Sequence, residues 1–324
     1  MEKYLIPNTE LEVSKIAYGC MGIGKTWDNS PLTESIRSNA IESVSTAIEG
    51  GINFFDHADI YARGKSEQVF GEVLKEMKGI RDNMIIQSKC GIRFMGAPNS
   101  DSPGRYDFSY EHIINSANGS LKRLGIEQMD ILLLHRPDPL MEPEEVAKAF
   151  DELKQKGKVR YFGVSNFNPG QLALLQNSLD MPIVVNQIEI SLLHHHVIND
   201  GILANQTSGQ YAASTGILDY CRLNNIQVQA WSPVALGKIF NPPLDADENV
   251  NDLAKQISVY AEEKGTSKEA IALAWLMKHP VGIQPIIGTT NVKRITDSCK
   301  ADEIKLSREE WYKLFTIARG NPVP

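Results

Sequence analysis

The sequence has no closely spaced cysteine pair. Its four cysteines, Cys20, Cys90, Cys221 and Cys299, are scattered. This excludes a disulfide framework and a structural zinc site of the CxxC kind, and predicts a reduced, cytoplasmic chain. No run of about 18 apolar residues occurs, so no membrane-spanning helix is expected. The N-terminus, MEKYLIPNTE, lacks a basic patch ahead of a long apolar core, and no signal peptide is read there. Positive charge is in short supply. The net charge is −7 and the pI about 5.6, which argues against broad nucleic-acid binding but allows a small anion in a local basic pocket. A dinucleotide fingerprint is also missing. The turn after the first barrel-strand candidate reads GCMGIGKTW, where Gly22-Ile23-Gly24 supplies only GxG, with no acidic residue at the expected distance.

What is present is an ordinary globular composition, 42% hydrophobic and 23% charged. The 324 residues suffice for one large α/β barrel or two ordinary domains. Tyr4–Ile6 and Leu11–Val13 flank the turn residues Pro7-Asn8-Thr9 and predict a β-hairpin. From Ile16 onward, short apolar strands alternate with amphipathic helices. The strands are Ile16–Tyr18, Ile52–Phe55, Met84–Gln87, Asp130–Leu134, Val159–Val164, Ile183–Asn186, Gln227–Ala230 and Gln284–Ile287. The helices are Ser38–Glu49, one opened by Ser66 and Glu67, Tyr110–Leu124, Pro143–Lys156, Pro169–Asn177, Ser214–Leu223, Asp252–Lys264, Lys268–Lys278, Asn291–Lys300 and Arg308–Ile317. No linker composition divides the chain. Eight β/α units in one domain, residues 1–324, predict a closed (β/α)8 barrel of the α/β class, with the hairpin and extra helices added. A doubly wound sheet is the alternative, disfavoured by the missing fingerprint. The surplus length falls in three inserts after strands, near residues 93–109, 192–213 and 235–250, on the face where barrel active sites lie.

The same face collects Asp56, Lys89, His135, Ser165, Asn166, Gln187, Trp231, Ser232, Gly288 and Thr289 at strand ends, with Tyr61 in the loop after Asp56. A lysine beside a tyrosine favours the phenolate, so Lys89 is expected to lower the Tyr61 pKa from about 10. A phenol so tuned can protonate a developing alkoxide, and His135 can orient the carbonyl. The set holds no activated serine or cysteine nucleophile. It suits carbonyl reduction with an external hydride donor. Ser165, Asn166 and Gln187 match a nicotinamide carboxamide, and Trp231 offers a flat face to its ring. Arg294, with Thr289 and the start of the following helix, suits a phosphate. A second reading makes Lys89 a Schiff-base lysine of a barrel aldolase. A third keeps the fold and nucleotide as a sensing module that regulates a partner. Consecutive His194, His195 and His196 imitate a metal cluster, but adjacent side chains in a loop diverge, and no metal site is expected.

Several motifs in order carry a resemblance. They are DHADIY at Asp56–Tyr61, Lys89, LLLHRP at Leu132–Pro137, GVSNF at Gly163–Phe167, WSPVALG at Trp231–Gly237 and IIGTT with Arg294. Over residues 14–317 the chain resembles the aldo-keto reductase superfamily. The resemblance implies an NADPH-dependent reductase of aldehydes and ketones. Tyr61 would be the acid, Asp56 and Lys89 would tune it, and His135 would orient the substrate. Ser165, Asn166 and Gln187 would hold the carboxamide, and Trp231, where many members carry Tyr, would stack on the ring. Ser232, Leu236, Gly237 and Lys238 would line the pyrophosphate. Gly19, Cys20 and Met21 would touch the ribose side. Asp56, Pro233, Gly288, Thr290, Asp297 and Ser298 complete the implied cofactor surroundings. Gly288 stands where many members place a lysine on the 2′-phosphate, leaving Arg294 for that role. The expected partner is a small carbonyl compound, with no nucleic acid and no membrane, and the expected state is a monomer or weak homo-oligomer.

Overall fold

The computed structural model describes residues 1–203 and 216–324. In chain order its strands are β1 Lys3–Leu5, β2 Glu12–Ser14, β3 Ala17–Gly19, β4 Phe54–Asp56, β5 Ile85–Cys90, β6 Ile92–Arg93, β7 Arg105–Tyr106, β8 Met129–Leu134, β9 Val159–Ser165, β10 Ile183–Glu189, β11 Gln227–Trp231 and β12 Gln284–Ile287. The helices are α1 Glu34–Glu49, α2 Lys65–Glu76, α3 Tyr110–Leu124, α4 Pro143–Gln155, α5 Pro169–Asn177, α6 His196–Ile202, α7 Ile217–Leu223, α8 Glu248–Glu263, α9 Lys268–Met277, α10 Val292–Cys299 and α11 Arg308–Arg319. Eight parallel strands close in the order β3-β4-β5-β8-β9-β10-β11-β12, with β12 pairing back to β3. This is the expected (β/α)8 barrel. The expected hairpin is β1–β2.

The barrel interior has two kinds of filling. The hairpin residues Ile6, Leu11 and Val13 pack in one buried cluster with Phe54, Ile131, Leu133, Val185 and Ile286, which stops the end where the strands begin. Further along the strands the inward positions turn polar. Asp56 lies in register with Gln87, Gln187 with Gln229, and Gln229 with Gln284, and all five are buried. The larger apolar cluster fills the space between the barrel wall and the helices. Trp275 of α9 and Trp311 of α11 stack 5.1 Å apart at 10°. Each indole N–H donates to the other's carbonyl, at 3.2 and 2.9 Å, fixing the last helix to the barrel's outer layer.

The differences from the sequence reading lie at element ends. β5 runs through Lys89 to Cys90, although Gln87-Ser88-Lys89 interrupts the apolar run, because those polar side chains find partners inside the molecule. Helix α1 starts one turn before Ser38, where Thr33 Oγ1 accepts from Ile36 N–H and caps it. The insert near residues 93–109 carries the small β6–β7 hairpin, and α6 lies in the insert that begins at Leu192. The first residues of the helix expected at Ser214–Leu223, and the later part of the insert before it, lie outside the described residues.

Helix α2, which follows the Tyr61 loop, is docked on α3 through a glycine. A Cβ on Gly71 would come within 2.6 Å of the Arg123 carbonyl oxygen and 2.8 Å of the Leu124 carbonyl oxygen. On Gly119 of α3 it would meet the Arg123 guanidinium, at 3.0 Å, which is itself bonded to Glu67 and Ser120. Alanine gains about 0.8–1 kcal/mol over glycine in a helix interior, whereas a clash against backbone costs about 1–3 kcal/mol. Gly71→Ala is therefore expected to destabilise the protein by roughly 1–2 kcal/mol, and Gly119→Ala to cost less, because a side chain gives more readily than a backbone carbonyl. Thermal or urea unfolding of the two variants measures the difference.

Candidate active site

Asp56 ends β4, and the chain turns at once into the loop that carries Tyr61. Residues Tyr61–Gly64 form a short turn in which Ala62 and Arg63 take left-handed conformations, φ 49° and 57°. Arg63 Nε donates to the Trp27 carbonyl at 2.7 Å, and Ser66 Oγ to the Met21 carbonyl at 3.1 Å. These bonds hold the turn against the loop after β3. Behind it, the buried Glu67 accepts from Ser88 Oγ at 2.6 Å and from Arg123 Nε at 2.7 Å, which joins α2 to β5 and α3.

Lys89 stands on β5 with none of its surface exposed. Its Nζ donates to Asp56 Oδ2 at 2.7 Å, to the His57 carbonyl at 2.8 Å and to Tyr61 OH at 2.8 Å. All three ammonium protons are thus directed. Burial disfavours the ammonium, but Asp56 and Tyr61 outweigh it and the Lys89 pKa is raised. A permanently charged, fully bonded lysine offers no free amine, which disfavours the Schiff-base reading. The expected lowering of the Tyr61 pKa is not the net result. Burial raises it, Lys89 lowers it, and burial wins. Tyr61 is therefore a neutral phenol that holds its proton at neutral pH, with an ammonium against its oxygen. The His135 ring lies edge-on to the Tyr61 ring, centroids 5.8 Å apart at 80°. Burial, with the charges of Lys89 and Arg136, holds its pKa well below the usual histidine value. It is a neutral imidazole, and its Nδ1 is buried without a hydrogen-bond partner.

Tyr61 and His135 border a cleft of ≈ 700 Å³. Most of the sequence-predicted residues share its lining: Gly19, Met21, Asp56, Ser165, Asn166, Gln187, Trp231, Ser232, Pro233, Leu236, Gly237, Gly288, Thr289, Arg294 and Ser298. Asn166 has a left-handed backbone, φ 64°. Its Nδ2 donates to Ser165 Oγ at 2.8 Å and its Oδ1 accepts from Trp231 Nε1 at 3.1 Å. Gln187 spends its amide nitrogen on Asp56 and Gln229, at 3.0 and 3.1 Å. What it has left for a ligand is its carbonyl oxygen. Arg294 is exposed and has no ion-pair partner among the described residues.

Lys89 lies behind Asp56 and Tyr61, outside the lining, and four other predicted residues stand elsewhere. The Cys20 thiol is buried, 3.8 Å from the Tyr18 carbonyl, and burial pushes its pKa well up. It offers the cleft no side chain. Asp297 is occupied by Lys293 and Lys300. Thr290 is bonded by Lys25 at 3.3 Å and Lys238 is exposed, both outside the lining. Conversely, the cleft takes in Arg136, Phe240, Asn241, Lys268 and Glu269, which the sequence reading did not select. Arg136 was within the quoted LLLHRP motif; its guanidinium lies 5.1 Å from the Trp231 ring centroid. The others sit in a loop or at a helix start far from any strand end, and carry no sequence signal of their own. Among the described residues no cluster of histidine, cysteine or acidic side chains could hold a metal. His194 instead stacks edge-on with His196, while His195 Nδ1 bonds to the Leu192 carbonyl at 2.8 Å. No described helix is long and apolar enough to cross a membrane.

Residues 15–318 match the family model of the Aldo/keto reductase family. The chain is 36% identical over 322 residues to the uncharacterized oxidoreductase YcsN of Bacillus subtilis, covering 97% of each chain. It is 35% identical over 315 residues to a 6-dehydroglucose reductase of Agrobacterium fabrum, again covering 97% of each. Among solved structures it resembles the thermostable aldo-keto reductase Tm1743 in complex with the inhibitor epalrestat. The TM-score is 0.77 with 25% identity, over 98% of this chain and 100% of that one. It shares the fold of an aldo/keto reductase from Klebsiella pneumoniae in complex with NADP and acetate. There the TM-score is 0.74 with 22% identity, over 100% of this chain and 97% of that one. The chain belongs to the aldo/keto reductase family and is an oxidoreductase.

Proposed function

We propose that this enzyme reduces aldehyde or ketone carbonyls with NADPH, and that Tyr61 is the general acid. The observation that carries this reading is the Lys89 ammonium bridging Asp56 and Tyr61 at the edge of the cleft, 2.7 and 2.8 Å away. The cleft's donor set fits a nicotinamide nucleotide. Asn166 and Ser165 supply polar groups for a carboxamide, Gln187 supplies an acceptor, and Trp231 supplies a ring face. When bound, the cofactor supplies the hydride. Ser232, Leu236 and Gly237 line the cleft where a pyrophosphate would run, and Gly19 and Met21 line it where a ribose would lie.

The residues divide the remaining work. A carbonyl oxygen that gains negative charge needs a proton and an electropositive surrounding. Tyr61 gives the proton. Lys89 stabilises the phenolate left behind, and Asp56 keeps Lys89 charged and in place. His135 donates a neutral hydrogen bond that orients the carbonyl without adding charge to compete with Lys89. General acid catalysis by a positioned group is worth about 10²–10⁴-fold. Tyr61→Phe keeps the ring and removes the proton donor. Its kcat should fall by about that factor, with cofactor affinity, read by fluorescence titration, unchanged. A panel of aldehydes and ketones that includes 6-dehydroglucose is a suitable substrate set. Turnover within a few-fold of wild type would remove Tyr61 from the acid's role.

We assign the cofactor's 2′-phosphate to the start of α10. There Asn291 Oδ1 caps the Arg294 N–H at 3.1 Å, Thr289 and Arg294 line the cleft, and the Arg294 guanidinium has no ion-pair partner among the described residues. Asp297, the neighbour most able to neutralise Arg294, is engaged by two lysines. A charge-assisted contact is worth roughly 1.5–3 kcal/mol, or about one to two decades in affinity. Arg294→Ala is expected to weaken NADPH binding by that amount and to leave NADH binding nearly unchanged. Equal losses for both cofactors would place the 2′-phosphate elsewhere.

A further inference from the structure

We propose that Gln87, backed by Gln229 and Gln284, is a positioning residue: a directed chain of side-chain amides across the barrel fixes the Asp56 carboxylate against Lys89. The inference rests on the reading that Lys89 and Asp56 act on Tyr61. The chain starts at the Ser14 carbonyl, which can only accept. Gln284 Nε2 donates to it at 2.7 Å, so Gln284 Oε1 faces inward and accepts from Gln229 Nε2 at 2.9 Å. Gln229 must then turn its own Oε1 inward, where it accepts from Gln87 at 2.8 Å and Gln187 at 3.1 Å. Both of these amides have one N–H left, and both direct it at Asp56 Oδ1, at 2.7 and 3.0 Å. Reversing the order would set carbonyl oxygens against the Ser14 carbonyl and the Asp56 carboxylate. Asp56 Oδ2 is taken by Lys89 at 2.7 Å. Three donors thus converge on one buried carboxylate and fix both of its oxygens.

Gln87 is fully buried and does not border the cleft, so it touches neither substrate nor cofactor, and its direct bond toward the reacting groups is the one to Asp56. Its own Oε1 is buried with no partner. An orphaned buried acceptor is a cost that a leucine or methionine would avoid. What such a residue would forgo is the second amide donor on Asp56. Gln187 is different, because it also faces the cleft; Gln87 separates positioning from ligand binding. With both its oxygens bonded, Asp56 neither rotates nor takes the Lys89 proton, and the ammonium stays aimed at Tyr61.

The test is the pH profile of kcat for two near-isosteric variants, alongside cofactor affinity and thermal stability. Gln87→Met removes one of the amide donors that hold Asp56 Oδ1, so Asp56, and with it the Lys89 ammonium, is held less firmly against Tyr61. Lys89 lowers the Tyr61 pKa against burial, so the basic limb of the profile, where the phenol loses its proton, should move to higher pH; kcat should fall on the order of tenfold, the worth of a hydrogen bond to a charged group, with cofactor Kd unchanged. Gln87→Glu sets a second carboxyl beside Asp56, and the pair should share a proton and add a new ionisation to the profile. Should Gln87→Met fail to fold, the Gln87→Glu profile carries the test. Wild-type kcat and pH profile in the folded variants would overturn the proposal. So would losses of kcat, affinity and stability together with the basic limb unmoved, which is the mark of a merely structural role. If Tyr61→Phe retains turnover, the underlying acid assignment has failed. If Tyr61→Phe is inactive while the Gln87 variants keep the wild-type profile, only the positioning role has failed.

Discussion

Everything at this site depends on a lysine ammonium held without solvent. An isolated charge removed from water costs several kcal/mol even after relaxation. Lys89 meets that cost with one carboxylate, one phenol and one backbone carbonyl, all within 2.8 Å. The arrangement leaves little freedom. If Asp56 moved, the ammonium would lose its counter-charge, and if Tyr61 moved, a proton of the ammonium would be unbonded. The loop bonds from Arg63 and Ser66, and the Glu67 links to β5 and α3, can be understood as what keeps the phenol at that distance. The opposing effects on Tyr61 follow from the same geometry. The burial that makes the Lys89 charge strong also makes a phenolate costly.

The barrel's interior divides accordingly. Its first part is stopped by apolar side chains from the hairpin and strand beginnings, which need no partners. Its next layer is polar and buried, and every amide nitrogen in it is used. An apolar layer would pack as well. The polar one carries a hydrogen-bonded path from the backbone near the hairpin to the carboxylate under the cleft. Above it the cleft opens, with the nitrogen of Gln187 committed inward and its oxygen outward.

Much of this was legible in the sequence, and the limits have physical reasons. Eight apolar runs separated by helical periodicity were enough for the barrel, because parallel strands buried on both faces read as apolar runs. Asp56, Tyr61, His135, Asn166 and Trp231 were legible because each follows such a run. The end of β5 was misplaced where polar residues find partners inside the molecule, at Ser88 and Lys89. Polarity in a strand reads as its end when the partner is unseen. Gln229 and Gln284 were placed in their strands, but nothing in the sequence marks them as members of an amide network. The net direction of the Tyr61 shift was not legible either, since adjacency to Lys89 follows from the strand order while the depth of burial does not. Cys20 and Asp297 show the converse. They occupy plausible positions in the chain, and only packing reveals that one is turned into the core and the other is held by two lysines.

The claim that Lys89 acts on the chemistry through Tyr61 is tested most directly by a double-mutant cycle on kcat, with Lys89→Met and Tyr61→Phe made singly and together. Residues that act as a unit are strongly non-additive. The account predicts that the double variant is no slower than Tyr61→Phe alone, because without the phenol the ammonium has nothing to tune. Losses that simply add would contradict it and would give Lys89 a role of its own.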